Sequence, residues 1–547
     1  MPLLALVLAS LLTAPLQGAR AAGASADSLA APADTGAAPG RAAAVAIAAN
    51  PDSALAQTLA AIQGAPLTLG EAVQAVLEGS TDVGAAEASY RAARGAARRE
   101  RGAFDPELFA TAVWSEDDSP TASFFAGASV LRVRQTQASG GARITLPFGT
   151  EVSASLDAIR YESNSAFDAL APQYTAATTL SLRQPLLQGF GPGTWSERAA
   201  TSRELDAAKA RYDDAVLAAR ANVEKSYWDL YAAERDLAVA RLIRDQAEAL
   251  LRQAELRNRA GLVGPNQVAN ARVFYAEQVQ TVIDREEALD QTSDALASLI
   301  GKRPPDGLPR YRPVDEPPSD FPIVPEDSLV AHAVARNDDL KARERAVEAA
   351  RSRWTGARWN AYPKLDVFGT LGGNGLAGAP RDVIFNGDTL RTNVSGGFGD
   401  AYAQARDRKF PSWSAGVEVS IPIGFRSGAG ERDRLHAEAD RAEQQLIGAR
   451  RALTERVRAA HRELVYATRR LDAARTGVRA SQEQVRIGIL EYSNGRTTAF
   501  ELVRLGADLA SAQQRYSQAL VRTAKAAADL RVLTSGDYPS PAGTGGK

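Results

Sequence analysis

One series of segments occurs twice along this chain, and that internal repeat limits its possible folds more than any other feature. Residues 67–108 carry a helical pattern ending in Phe104, Asp105, Pro106, Glu107 and Leu108; residues 326–365 do the same and end in Ala361, Tyr362, Pro363, Lys364 and Leu365. Each half then enters strand-like sequence and closes on a proline- and glycine-bearing stretch, Leu180 to Gly191 or Val417 to Gly428, before a long helical tract. Each tract breaks at a glycine, Gly261 or Gly495, and resumes as another helix ending near Gly301 or Gly536. Between the halves, residues 302–325 hold Pro304, Pro305, Pro309, Pro313, Pro317, Pro318, Pro322 and Pro325, a density that forbids helix and central strand and reads as a linker.

The helical tracts carry a seam. Leu205, Tyr212, Val216, Ala219, Val223, Tyr227, Leu230 and Leu237 recur at three-and-four spacing, as do Leu446, Ala449, Leu453, Val457, Ala460, Leu464 and Leu471; Val268, Tyr275, Val282, Leu289 and Leu296 fall at every seventh position. Such spacing marks helices packed as in a coiled coil. At 1.5 Å per residue the tract from Gly193 to Ala260 spans roughly 100 Å, more than a compact globule needs. Abundant alanine in the seams lets neighbouring helices approach as a wall of helices requires.

The strand segments alternate. Ile144, Leu146 and Phe148 interleave with Arg143, Thr145 and Pro147; Val152, Ala154, Leu156 and Ala158 with Glu151, Ser153, Ser155 and Asp157; Val417, Val419, Ile421 and Ile423 with Glu418, Ser420 and Pro422. A barrel wall between lipid and water has this pattern, and so does a half-buried soluble sheet; the strands alone leave both open. A closed barrel of about eight strands is already filled by side chains, so several copies must share one barrel if it is to be a pore.

Composition narrows the class. Lys plus Arg number 64 against 65 Asp plus Glu, so no net field draws the chain to nucleic acid, and none is expected as a partner. The absence of cysteine excludes disulfides, thiolate metal sites and a thiol nucleophile. Leu3 to Leu12 followed by Ala19, Arg20 and Ala21 reads as a signal peptide over 1–21, and 22–65, rich in Ala, Gly, Ser and Pro, as a flexible leader. No later apolar run approaches the ~18 residues of a membrane helix, so any bilayer crossing must be made by strands. The expected organisation is a first repeat over 66–301 with β segments within 105–190, the linker 302–325, a second repeat over 326–535 with β segments within 364–425, and a flexible tail 536–547.

Several short stretches carry a resemblance. Gly261, Leu262 and Val263, followed by Gln267, Val268, Ala269, Asn270, Ala271 and Arg272, resemble the glycine-leucine-valine turn and the asparagine-alanine-arginine helix start of the TolC-like outer membrane factors. Tyr492, Ser493, Asn494, Gly495, Arg496, Thr497 and Thr498 are similar to that family's second turn, and Gln184 to Gly191 to its barrel-to-helix junction. The resemblance covers nearly all of 66–535. It implies a mainly α fold with a β-barrel portion: two repeats of helix, strands, long helix and helix, forming a periplasmic α-barrel and a transmembrane β-barrel shared by a homotrimer, with four strands from each chain. The sequence departs from that count between Glu107 and Gly191, where up to four strand-like segments stand against two in the second half: either a surplus hairpin around Pro147 to Thr150 extends outside the membrane or the strands are long, and the number of strands is left open.

The resemblance also implies a role: an exit duct in outer-membrane lipid for small molecules or polypeptides, in a tripartite efflux or type I secretion system. A periplasmic adaptor (membrane fusion) protein would meet the tips, here Gly261, Leu262, Val263, Gly264 and Asn494, Gly495, Arg496, Thr497, Thr498, and an inner-membrane RND or ABC-type pump would supply cargo. Carboxylates beyond the second tip often guard the family's closed end. Glu501 matches that position, but Arg504 fills the next acidic one and Gln267 stands where the first repeat can carry an acid, so a Glu501–Arg504 ion pair competes with a gate.

Catalytic constellations are absent from the sequence, and no cofactor or metal is expected. Gly189, Gly191 and Gly193 lack the spacing of a dinucleotide loop, Gly372, Gly373 and Gly375 lack a following Lys-Ser/Thr, and His332, His436 and His461 are not clustered. The competing reading is a soluble periplasmic coiled-coil adaptor or scaffold. Such a protein has one helical hairpin flanked by small β-domains, whereas here the helix-strand-helix unit is duplicated.

Overall fold

A computed structural model describes residues 51–122, 127–385, 387–494, 496–497, 499–536 and 538. The repeat is visible in its element lengths. The first half runs α1 (Pro51–Ala60), β1 (Ala65–Leu67), α2 (Leu69–Gly79), α3 (Thr81–Gly102), strands β2 (Glu107–Pro120), β3 (Val130–Thr145), β4 (Glu151–Ser163) and β5 (Leu170–Pro185), then α4 (Pro192–Arg259) and α5 (Pro265–Ile300). After β6 (Tyr311–Pro313), the second half runs α6 (Glu326–Arg336), α7 (Asp338–Asn360), β7 (Lys364–Pro380), β8 (Val383–Phe385), β9 (Asp388–Leu390), α8 (Phe398–Arg406), β10 (Phe410–Ser420), α9 (Arg426–Ser493) and α10 (Ala499–Leu533). The long helices α4 and α9 have 68 residues each. Both are therefore about 100 Å long.

Side-chain chemistry sets the boundaries. Thr68 and Glu71 form a reciprocal capping box at the start of α2, and Ser80 and Asn337 cap α3 and α7. Pro192 and Pro265 occupy first-turn positions of α4 and α5, where a missing N–H costs nothing.

The expected seams are the core. Val223, Tyr227, Leu230 and Leu237 of α4, Val282, Leu289 and Leu296 of α5, and Leu453, Val457 and Leu464 of α9 are buried in one cluster with Val521, Ala524 and Leu530 of α10. Reciprocal ion pairs tie α4 to α10, Lys225 to Asp529 and Lys525 to Asp229 at 2.8 and 2.7 Å. Near the sheet, Arg353 of α7 bridges Glu197 and Glu204 of α4 at 2.9 and 2.6 Å.

Three expectations about the connecting segments change. The leader assigned to 22–65 ends in ordered structure: Leu55 and Ile62 reach into the core, and β1 pairs in parallel with β6 of the linker. Alanine-rich composition concealed α1, because its few large side chains gain stability only by packing on α4. Linker residues 302–325 are non-helical as the prolines require, yet they lie against the helices as a strap. Arg310 pairs with Asp290 at 3.0 Å, Arg312 with buried Glu234 at 3.0 Å, and Glu316 with Arg235 at 3.0 Å. Burial raises the Glu234 carboxyl pKa, and Arg312 opposes the shift. Of the tail, Tyr538 is buried and its hydroxyl donates to the Pro322 carbonyl at 2.5 Å. The signal segment 1–21 lies outside the described residues.

Tyr227 closes the strap. Its hydroxyl donates to the Leu67 carbonyl (2.9 Å) and accepts the N–H groups of Val314 and Asp315 (3.0 Å each). Burial pushes its phenol up from 10.0 to about 12. Tyr227→Phe leaves the Asp315 N–H without this acceptor, at about 1–3 kcal/mol, while the Val314 N–H and the Leu67 carbonyl stay bonded to each other at 3.2 Å; faster proteolysis within 302–325 and a lower Tm are the expected readouts. Because the folded state holds the phenol proton more tightly, the wild type should lose this contribution as pH rises from about 10 through 12. A pH series of Tm checks it: the Phe variant should lack that step.

Candidate functional site: sheet wall and helix tips

Six strands form one antiparallel sheet in the order β10-β7-β5-β4-β3-β2. The resemblance implied four strands per chain, and the two-strand excess lies in the first half. The turn at Pro147–Thr150 sits beside the barrel-to-helix junction: the Gly191 N–H donates to the Phe148 carbonyl at 3.3 Å, and the Leu146 N–H to that of Thr150 at 2.8 Å.

The pairing register sorts the side chains into two faces. One row across all six strands reads Trp413, Leu371, Leu180, Ala154, Ala142, Leu108. The adjacent row, on the opposite face, reads Ser414, Thr370, Ser181, Ser153, Arg143, Glu107. Successive side chains of a strand point to opposite sides, so the sheet has an apolar face and a polar one. Leu108, Trp114 and Trp413 on the apolar face are 82%, 78% and 75% exposed in the single chain, a large cost in water. Lipid removes that cost. The half-buried soluble sheet would need the apolar face covered by protein, and among the described residues only the short α8 lies on it: Gly373 and Gly375 bring the β7 backbone against the Ala405 and Ala401 carbonyls, where any side chain would collide.

The polar face is wired by short bonds. Hydroxyl pairs Thr111–Ser139, Ser153–Ser181 and Thr370–Ser414 lie at 2.6–2.7 Å. Where the sheet meets the helices, Arg183 bridges Asp366 (2.8 Å) and Glu418 (2.7 Å), Lys364 joins Glu418 (2.9 Å), and Arg143 pairs with Glu107 (2.8 Å). A cavity of about 830 Å³ opens on this face, lined by Asp105, Glu107, Arg143, Glu151, Ser153 and Arg183 among others. The charge cluster went unnoticed in the sequence, although Arg183, Asp366 and Glu418 fall in the polar phase of strands whose alternation was clear.

At the far end the two tips share one closing geometry. In the first, Gly261 has φ +71°, its N–H donates to the Asn258 carbonyl at 2.9 Å, and the Leu262 N–H donates to that of Arg257 at 2.9 Å. This is a left-handed helix stop that favours glycine. The Asn258 amide donates to the Val263 carbonyl at 2.8 Å, and Gly264 precedes Pro265 at the start of α5. In the second, the Arg496 N–H donates to the Glu491 carbonyl at 2.8 Å, the same six-residue closure, and Asn494 caps α9 with its amide on Leu490 (2.8 Å). Thr497 follows, half-buried; Gly495 and Thr498 lie outside the described residues. Leu262 is 75% exposed, and Leu256, Phe274, Leu490 and Tyr492 are exposed at the same end, an apolar set the sequence reading did not single out.

Three carboxylates near the tips are paired with arginines. Glu501 meets Arg504 on the same helix at 2.5 Å, Glu255 meets Arg272 at 3.2 Å, and Glu483 meets Arg486 at 2.5 Å. The Arg486 guanidinium holds the Glu483 carboxyl below its ordinary value. Gln267 is exposed in the first turn of α5 and brings no charge. Among the described residues, no helix is long and apolar enough to cross a membrane, and no cluster of three or more His, Asp or Glu could hold a metal.

A two-faced sheet continued by paired 100 Å helices is the architecture of the TolC-like outer-membrane channels. Solved channels share it: the outer-membrane channel OprN (TM-score 0.59, 18% identity, 86% of this chain and 90% of that one) and open-state MtrE of Neisseria gonorrhoeae (TM-score 0.55, 18% identity, 86% and 89%). The outer membrane efflux protein family model matches residues 171–302 and 329–536. The chain belongs to that family of outer-membrane proteins, with its helical portion in the periplasm. The pyoverdine export outer membrane protein OpmQ of Pseudomonas aeruginosa is 30% identical over 273 residues, 48% of this chain and 56% of the relative. The chain spans about half the length of the curated relatives it matches.

Neighbouring positions on β5 test the assignment of faces. Leu180→Arg puts a charge on the lipid side and should cost about 2–4 kcal/mol of membrane-inserted stability, whereas Ser181→Arg should fold and shift ion selectivity toward anions. Urea unfolding in lipid vesicles and reversal potentials provide the readouts.

Proposed function

We propose that three copies assemble into one exit duct of a tripartite export system, with the two tips receiving a periplasmic adaptor and an inner-membrane RND or ABC-type pump loading the cargo. The observation that carries this reading is the sheet itself. Its polar face suits a water-filled lumen, its apolar face suits lipid, and both of its outer edges, β2 and β10, are unpaired among the described residues. OpmQ, a pyoverdine export outer membrane protein, supports an outward flux of small molecules; the cargo class proposed is small molecules or polypeptides.

The tips are the adaptor's landing points. Their backbones are compact and their apolar side chains exposed, so a partner's helix ends can approach closely and bury Leu262. Leu262→Asp should abolish cross-linking to the adaptor and active export while leaving membrane insertion intact. Retained export and cross-linking in that variant would contradict the assignment.

The Glu501–Arg504 pair is proposed as a self-neutralised ring at the periplasmic mouth, in place of a ring of acids. Arg504→Gln frees the carboxylates and should raise cation over anion permeability, and Glu501→Gln with Arg504→Gln should restore weak selectivity. Bilayer reversal potentials under a salt gradient measure both.

A further inference from the structure

We infer that the β2–β3 hairpin belongs to the membrane wall, that the β2 edge of one chain pairs with the β10 edge of the next, and that the shared barrel therefore has eighteen strands. This rests on the trimeric duct reading and deepens it, because strand number sets the width of the lumen.

The apolar phase continues through the hairpin as far as Trp114, while the opposite face of β2 mixes Glu107, Thr111 and Ser115 with Phe109 and Val113. On β2, Leu108, Ala110, Ala112 and Trp114 continue the apolar face, opposite Ala142, Gly140, Ala138 and Thr136 of β3. Glu107 and Thr111 continue the polar face and bond to Arg143 and Ser139. Only beyond Trp114 does the apolar phase become charged, as Glu116–Arg134 and Asp118–Arg132 ion pairs at 3.1 and 2.8 Å. A tryptophan followed by charge marks the rim of an apolar band. A hairpin standing in water would have no use for Leu108 and Trp114 at 82% and 78% exposure.

The edges suit each other. β2 has 14 residues and β10 has 11, and Pro411 and Pro120 lie only at their far ends. Long unprotected edges call for a partner strand. Six antiparallel strands leave β2 and β10 running in opposite directions, so apposing β10 to a second chain's β2 continues the antiparallel ladder. Both edges also start at the same level: β2 follows α3, and β10 leads into α9. The family match begins at residue 171, so β2, β3 and β4 lie outside it.

Eighteen strands at ~4.8 Å spacing and ~40° tilt enclose a backbone cylinder about 35 Å across, in the size class that leaves an aqueous channel. Twelve strands would give about 24 Å by the same geometry. The wider lumen passes bulkier cargo.

The natural chain has no cysteine, so single substitutions report cleanly. In intact outer-membrane vesicles, a water-soluble maleimide should label Thr111→Cys and Ser139→Cys at least about tenfold faster than Ala110→Cys, Ala112→Cys and Ala138→Cys, which lipid covers. Oxidising a matrix of double variants, Leu108, Ala110 or Ala112 with Trp413, Ala415 or Val417, should give covalent trimers along one register. Fast labelling of Ala110→Cys and Ala112→Cys in a trimer that still conducts ions would overturn the eighteen-stranded wall and leave the duct standing. A protein that neither inserts nor forms trimers would remove both.

Discussion

Inside a bilayer no water is available to the peptide groups, and every backbone N–H and C=O must find its partner within the protein. A closed sheet meets that demand by pairing every strand with a neighbour on both sides. Six strands do not close by themselves, because a barrel that small has no room even for its own side chains. The rest of the structure follows from this requirement. Among the described residues β2 and β10 are left as the two edges of the sheet, and each of its ends that enters the helical stalk does so at one level. The duplicated sequence supplies strands from both halves of the chain to a single wall.

The stalk solves a different problem, holding helices of about 100 Å parallel without a globular core to anchor them. It does so in the middle rather than at the ends. The buried cluster gathers Trp228, Tyr227, Leu289, Leu340, Leu464 and Leu530 where α2, α5, α6 and α10 meet the two long helices. Across the same level runs the strap of residues 302–325, bonded by Tyr227, Arg310 and Arg312. Toward the tips large buried side chains thin out, and Glu255, Glu483 and Glu501 there are tied to arginines. An end so lightly packed is suited to rearrangement, because local opening costs least where burial is least.

Much of this was legible from residues alone. The repeat, the seams and the glycine stop at Gly261 were visible because each rests on local chemistry: heptad spacing, a left-handed stop, proline at a helix start. Apolar and polar phases of the strands were visible for the same reason. What the sequence concealed depends on contacts distant along the chain. α1 owes its order to α4, and the parallel β1–β6 pair joins residues about 246 positions apart. The strap hid behind prolines that correctly excluded helix but said nothing of ion pairs to Asp290 and Glu234. Strand number was ambiguous because register, unlike alternation, is set by partners. The Glu501–Arg504 spacing, by contrast, already contained the ion pair the structure shows.

The central claim is that copies of this chain close one conducting barrel between them. Its most direct test is the mass of the protein extracted in mild detergent, followed by single-channel recording of the same sample in a planar bilayer. The account requires a trimer of the mature chain that inserts and conducts. A monomer or dimer that stays in water and passes no current would contradict it.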